Sequence, residues 1–119
     1  MATIKSYTDL HQSQRLAKIL NHESADMAYI ASATDDDGET LYTAEYKSEI
    51  IIHEADDYIN CWSLAALLSV VSEVSLNSFK DGNWNAMVKQ NGKMIYGDTD
   101  NPVDACYELI LKLHEQNLI

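Results

Sequence analysis

The sequence predicts an α+β fold: an antiparallel sheet of four to five strands with about three helices packed mainly on one face, in the order α-β-β-(β)-α-β-β-α. Three observations carry this expectation. Apolar residues recur at helical spacing near the start, in the middle and near the end of the chain. Short β-type runs flank two strong turn signals, Asp35-Asp36-Asp37-Gly38 and Asn91-Gly92. Helices alternating with antiparallel hairpins bury their apolar faces best as a helix layer on a sheet.

The first helix is announced by Thr8 as N-cap, with Asp9 in the first turn facing the positive end of the helix dipole. Leu16, Ala17, Ile19 and Leu20 supply its apolar side, Arg15 and Lys18 give it a basic face, and it is expected to stop near Asn21. From Met27 the run MAYIASA reads as a strand that ends in the Asp-rich turn, and Leu41 to Tyr46 as its returning partner. Residues 47–60 combine a strand-like Ile50-Ile51-Ile52 with flanks that suit a helix, and a third strand is the preferred reading. Ser63 caps a second helix whose residues Leu64, Ala65, Leu67, Leu68 and Val71 nearly encircle its axis, so it is expected to be central to the core.

Asn91-Gly92 best fits a two-residue turn with positive φ at both positions. Gln90 then faces Lys93, Val88 faces Ile95, and Ala86 faces Gly97. The last helix begins at Asn101-Pro102, with Asn101 as cap, Pro102 at the first helical position and Asp104 at the third. Val103, Cys106, Leu109, Ile110 and Leu113 form one apolar stripe along it.

At 119 residues, with 46% hydrophobic and 23% charged side chains, the chain has the size and balance of one folded domain spanning 1–119. Cys61 and Cys106 sit in apolar runs with no second cysteine or histidine nearby, so two buried free thiols are expected, which suits a reducing compartment. The opening MATIKSYTDLHQSQ lacks the apolar stretch of a secretory signal, and no run reaches the roughly 18 apolar residues of a membrane span. A cytoplasmic location is the expectation.

The net charge of −11 is unevenly placed. Residues 1–20 carry +2 and residues 61–119 carry −3, whereas residues 21–60 hold eleven acids against Lys47 alone. Nucleic-acid binding is disfavoured, because affinity for phosphates rests on clustered Lys and Arg, and the eight present are dispersed.

No catalytic, cofactor or metal site emerges. Aligning Gly38 with the glycine of an EF-hand loop puts Ala33 and Ala44 at ligand positions, and neither can coordinate. His53-Glu54 opens like a zinc-protease helix, but Asp57 stands where the second histidine is required. No P-loop, nucleophile elbow or dinucleotide-binding glycine pattern is present. The expectation is a protein that is not an enzyme and carries no cofactor.

What remains is an acidic surface. Asp35, Asp36, Asp37, Glu39, Glu45, Glu49, Glu54, Asp56 and Asp57, with Tyr42 and Tyr46 among them, are the candidate partner-binding residues. Alternate residues on a strand stand about 6.6 Å apart on one face, so acids on neighbouring strands can build an ordered field of charge, with tyrosines supplying contact area. The competing reading is that acids maintain solubility and strand tyrosines pack. The partner this charge suits is a basic protein surface, such as a nucleic-acid-binding protein, with no nucleic acid or membrane bound directly.

The stretches KSYTDLHQSQRLAKILNHESADM, CWSLAALLSVV and DNPVDACYELILKLHEQNLI resemble those of a family of small acidic proteins encoded by phages and mobile elements of gut bacteria. Asn21 departs from the proline that such sequences often carry there, and the acidic middle matches least. The resemblance transfers no site residue. It implies a setting, the cytoplasm of a bacterial host, in which small acidic proteins inhibit defence or nucleic-acid enzymes, as anti-CRISPR proteins and DNA mimics do. The ranked expectation is therefore an accessory protein that binds a basic host protein through its acidic surface. A self-associating assembly protein, using Trp84, Leu118 and Ile119, comes second, and a small metal-dependent hydrolase or nuclease third.

Overall fold

The computed structural model describes residues 5–49 and 58–119. The protein is α+β, with three α-helices and two antiparallel sheets among the described residues. Its contacts cluster into two compact units, one formed by residues 1–8 with 63–119 and the other by residues 9–62.

In the unit of residues 9–62, helix α1 (Leu10–Leu16) starts one residue later than expected. Asp9, not Thr8, is the N-cap: its carboxylate accepts from the Gln12 backbone N–H at 2.8 Å, and Gln12 Oε1 accepts from the Asp9 N–H at 3.1 Å. A reciprocal pair of this kind satisfies two helix-end donors at once, which a Thr8 cap without such a partner does not. The helix ends at Leu16, and turns carry the chain to Asn21, whose side chain caps a short 3₁₀ turn, His22–Ser24.

Strands β1 (Met27–Thr34) and β2 (Thr40–Tyr46) form the expected hairpin around Asp35–Glu39. Between Ala31 and Ala33 the register slips by one, so that Ala31 faces Tyr42 and Ala33 faces Leu41, a bulge in β1. A short 3₁₀ turn, Lys47–Glu49, follows. The expected strand at Ile50–Ile52 lies outside the described residues. A third strand is seen at β3 (Tyr58–Cys61), antiparallel to β1, giving the order β2-β1-β3. Helix α1 packs against β3. Leu16, Ala25, Met27, Ala28, Cys61 and Trp62 are buried. The Trp62 indole N–H donates to Ser24 Oγ at 2.9 Å, so the largest buried ring has its polar edge satisfied.

In the other unit, Ser63 caps α2 (Leu64–Val70) as the sequence suggests, accepting from the Ala66 N–H at 3.2 Å. The chain then forms β4 (Ser75–Ser78), β5 (Trp84–Gln90) and β6 (Lys93–Thr99), in the order β4-β5-β6. The β5–β6 register is the expected one, with Gln90 facing Lys93, Val88 facing Ile95 and Ala86 facing Gly97. Asn91 and Gly92 both take positive φ, 52° and 79°, as their turn demands.

Helix α3 (Pro102–Glu115) lies on β5 and β6 and also touches α2. Asn101 caps it, accepting from the Asp104 N–H at 2.8 Å, and every member of the expected stripe is buried, joined by Ala105 and Tyr107. The sheet face beneath α3 carries Ala86, Val88, Ile95 and Gly97, all buried. On the other face, Met94 and Tyr96 are exposed. The N-terminal segment joins this unit: Tyr7 bridges Ser63, the Leu64 N–H donates to Ser6 O, and Lys5 pairs with Asp104 at 3.0 Å.

The expectation of one sheet of four to five strands thus gives way to two sheets. Strand β4, carrying a single apolar residue, Leu76, supplies the extra member that an apolar-run reading passes over. Cys61 and Cys106 are buried free thiols.

Candidate functional site

The acidic candidates divide by where the strands place them. Asp35, Asp36, Asp37 and Glu39 form the β1–β2 turn. Asp35 organises it: its Oδ1 accepts from the N–H groups of Asp37 at 3.0 Å and Glu39 at 2.9 Å, and its own N–H donates to Glu39 O. Gly38, at φ 83°, takes the left-handed position that closes the turn. Asp36, Asp37 and Glu39 are exposed, and no cation pairs with any of the four among the described residues. Three exposed carboxylates therefore project from a turn that the fourth braces.

The strand body does not continue that field of charge. Tyr42, Ala44 and Tyr46 lie on the same side of β2 and face Ala31, Tyr29 and Met27 respectively. Tyr29 is diagonal to both Tyr42 and Tyr46, within reach of each across the strands, so three tyrosines gather on one face. Tyr42 and Tyr46 are 38% and 50% exposed. Glu45 is on the opposite face, beside Ala28, half-buried. The acids and tyrosines expected to interleave are separated by the two-residue period of the strand. Glu49 ends the turn after β2, and Glu54, Asp56 and Asp57 lie outside the described residues.

Lys47, the one cation of the acidic segment, is committed inward. Its Nζ donates to His22 O at 3.1 Å and lies 6.0 Å from the centre of the Tyr58 ring, and its backbone N–H donates to Asp26 O. Partial burial holds the ammonium below its usual pKa, with the Asp26 carboxylate opposing that shift. Lys47 thus ties the end of β2 to the start of β1 and leaves the hairpin tip unneutralised.

A second feature was not singled out as a site by sequence reasoning. An open groove of about 530 Å³ is lined by Gln14, Ala17 and Lys18 beside α1 and by Tyr58, Ile59 and Asn60 on β3. A neighbouring groove of about 430 Å³ is lined by His11, Gln14, Arg15 and Lys18, so the two share Gln14 and Lys18. Asn60 Oδ1 is a buried acceptor with no partner among the described residues. The signal in the sequence was the spacing of His11, Gln14, Arg15 and Lys18, which puts all four on one helical stripe.

Among the described residues, no group of three or more His, Cys, Asp or Glu side chains is placed to hold a metal ion. No helix among them is long and apolar enough to cross a membrane. Comparison with protein-family models, curated proteins and solved structures finds no match to this chain.

Proposed function

We propose that the chain is a non-enzymatic protein-binding module whose β1–β2 hairpin engages a basic partner. The observation that carries this reading is the tip itself: four carboxylates on a turn braced by Asp35, with no cation paired to them among the described residues. Exposed carboxylates held in fixed positions attract a basic surface before contact and set its orientation on contact. Tyr42 and Tyr46, exposed on one face of the same hairpin, add amphipathic area with little conformational entropy to lose. A basic groove that normally holds DNA or RNA offers the matching charge, which makes an inhibitor or nucleic-acid mimic of the anti-defence kind the form of binder proposed. The resemblance to phage and mobile-element proteins supports that setting.

The test neutralises the tip without dismantling it. Asp35 is left in place because it holds the turn, and Asp36→Asn, Asp37→Asn and Glu39→Gln are combined. Immobilised wild-type protein is expected to retain basic nucleic-acid-binding proteins from bacterial lysate at low salt and release them to competing duplex DNA. The triple variant is expected to lose that retention. Equal retention by both proteins at low salt refutes the reading.

A further inference from the structure

We propose that the basic trough beside α1 receives the acidic β1–β2 turn of a second copy of this chain. The inference rests on the reading above, in that the same turn presents the carboxylates. The trough is formed by the two grooves that share Gln14 and Lys18, with His11 and Arg15 lining one and Tyr58 and Asn60 the other.

Charge complementarity selects the occupant. The other described cations are either engaged within their own unit or stand apart. Lys5 pairs with Asp104, Lys47 bonds His22 O, and Lys112 donates to Tyr96 O at 2.7 Å while lying 5.1 Å from that ring's centre. Lys80 lies in the turn between β4 and β5, Lys89 on β5 and Lys93 at the start of β6. Arg15, the chain's single arginine, and Lys18, in the turn just after α1, are both exposed, and neither pairs with an acid among the described residues. A guanidinium beside an ammonium suits carboxylates that arrive side by side, because the planar fork of arginine can hold one in bidentate fashion while the lysine serves its neighbour. Asp36 and Asp37 are such a pair, at the tip of a braced turn.

Turn and trough are different patches, so the contact is heterologous. Each added copy leaves one turn and one trough free, and association continues with concentration unless the geometry closes a ring. Self-association would also occupy the turn that a basic partner requires, so the free turn becomes most available when the protein is dilute.

Sedimentation velocity across a dilution series at low ionic strength tests this. The wild-type sedimentation coefficient is expected to rise with concentration, and the rise to vanish at high ionic strength. Arg15→Glu with Lys18→Glu, and separately Asp36→Lys with Asp37→Lys, should each abolish the rise, while an equimolar mixture of the two variants restores it. Arg15→Gln with Lys18→Gln should also abolish it, which separates lost attraction from added repulsion, and circular dichroism confirms that each variant is folded. A strictly monomeric wild type, or association that survives in the folded trough variants, overturns the inference. The trough variants keep an intact turn, so retention of a basic partner by them, alongside a monomeric wild type, would sink this inference while sparing the proposed function. Retention by the turn variant would sink the proposed function.

Discussion

Gly97 of β6 lies directly beneath Ala105 of α3. A Cβ built at position 97 would run into the Ala105 carbonyl and stand 2.9 Å from both the Leu109 nitrogen and the Glu108 Cβ. The helix therefore rests on the strand backbone itself, and the missing side chain sets the depth at which α3 packs. Gly97→Ala is expected to push α3 off the sheet at a cost of about 1–3 kcal/mol, the range for overpacking a close-packed core. Urea denaturation checks this, and an unchanged midpoint would mean that helix and strand separate freely.

The bond from the Trp62 indole to Ser24 Oγ joins a fully buried ring to the short turn before β1. Ser24→Ala removes the acceptor while keeping the backbone, and it should cost about 1–2 kcal/mol, since a buried donor loses a partner. Ser24→Thr, which keeps the hydroxyl, should recover much of the loss in thermal unfolding.

At the start of α3, Asn101 accepts from the Asp104 N–H and donates to the Asp104 carboxylate at 2.7 Å. Asn101→Ala is expected to lower stability by about 1 kcal/mol, as loss of an N-cap usually does. Asn101→Asp keeps the accepting oxygen but sets a second negative charge beside Asp104, so it should restore less than Asn101→Ser. Melting temperatures of the three variants decide the order.

Burial pushes the Cys106 thiol up from its ordinary 9.0 to about 11. The unfolded chain therefore gives up this proton at a lower pH than the folded one. Stability tied to Cys106 is complete below pH 9 and is lost as the pH rises toward 11. The urea midpoint of the wild type should accordingly fall more steeply across that window than that of Cys106→Ala, even though the variant starts lower because it leaves a cavity. Iodoacetamide at neutral pH should leave Cys106 unmodified until the protein unfolds, because the thiolate is the reactive form.

Turn chemistry was the most legible part of the fold. Asn91-Gly92 fixed both strands and every pair of the β5–β6 ladder, because a two-residue turn leaves no freedom of register. A second turn was equally written and passed over. Phe79 to Asn83 repeats the backbone hydrogen bonding of Asp35 to Glu39, with Asp81-Gly82 in place of Asp37-Gly38, and it marks β4 although that strand is too polar to announce itself. Strand β3 was harder to read, since Tyr58–Cys61 runs almost directly into the Ser63 cap of α2, and its few residues show no alternation.

The candidate site was legible in charge but not in space. The count of acids between residues 21 and 60 is a property of the chain, whereas the face that each acid occupies depends on strand period and pairing. Glu45 and Tyr46 are adjacent in sequence and point to opposite sides of the sheet. The basic trough escaped notice because three of its eight lining residues come from β3, more than forty positions after Gln14.

The short N-terminal segment makes one of the units discontinuous in sequence, and that has a consequence for synthesis. During synthesis the bridge of Tyr7 to Ser63 forms only once Ser63 has been made, and the pair of Lys5 with Asp104 only 99 residues after Lys5. The hairpin of β1 and β2 has all its pairings within a short span and can form before either of those contacts. Residues 5–8 thus reach their full set of contacts only after the far end of their own unit has been made.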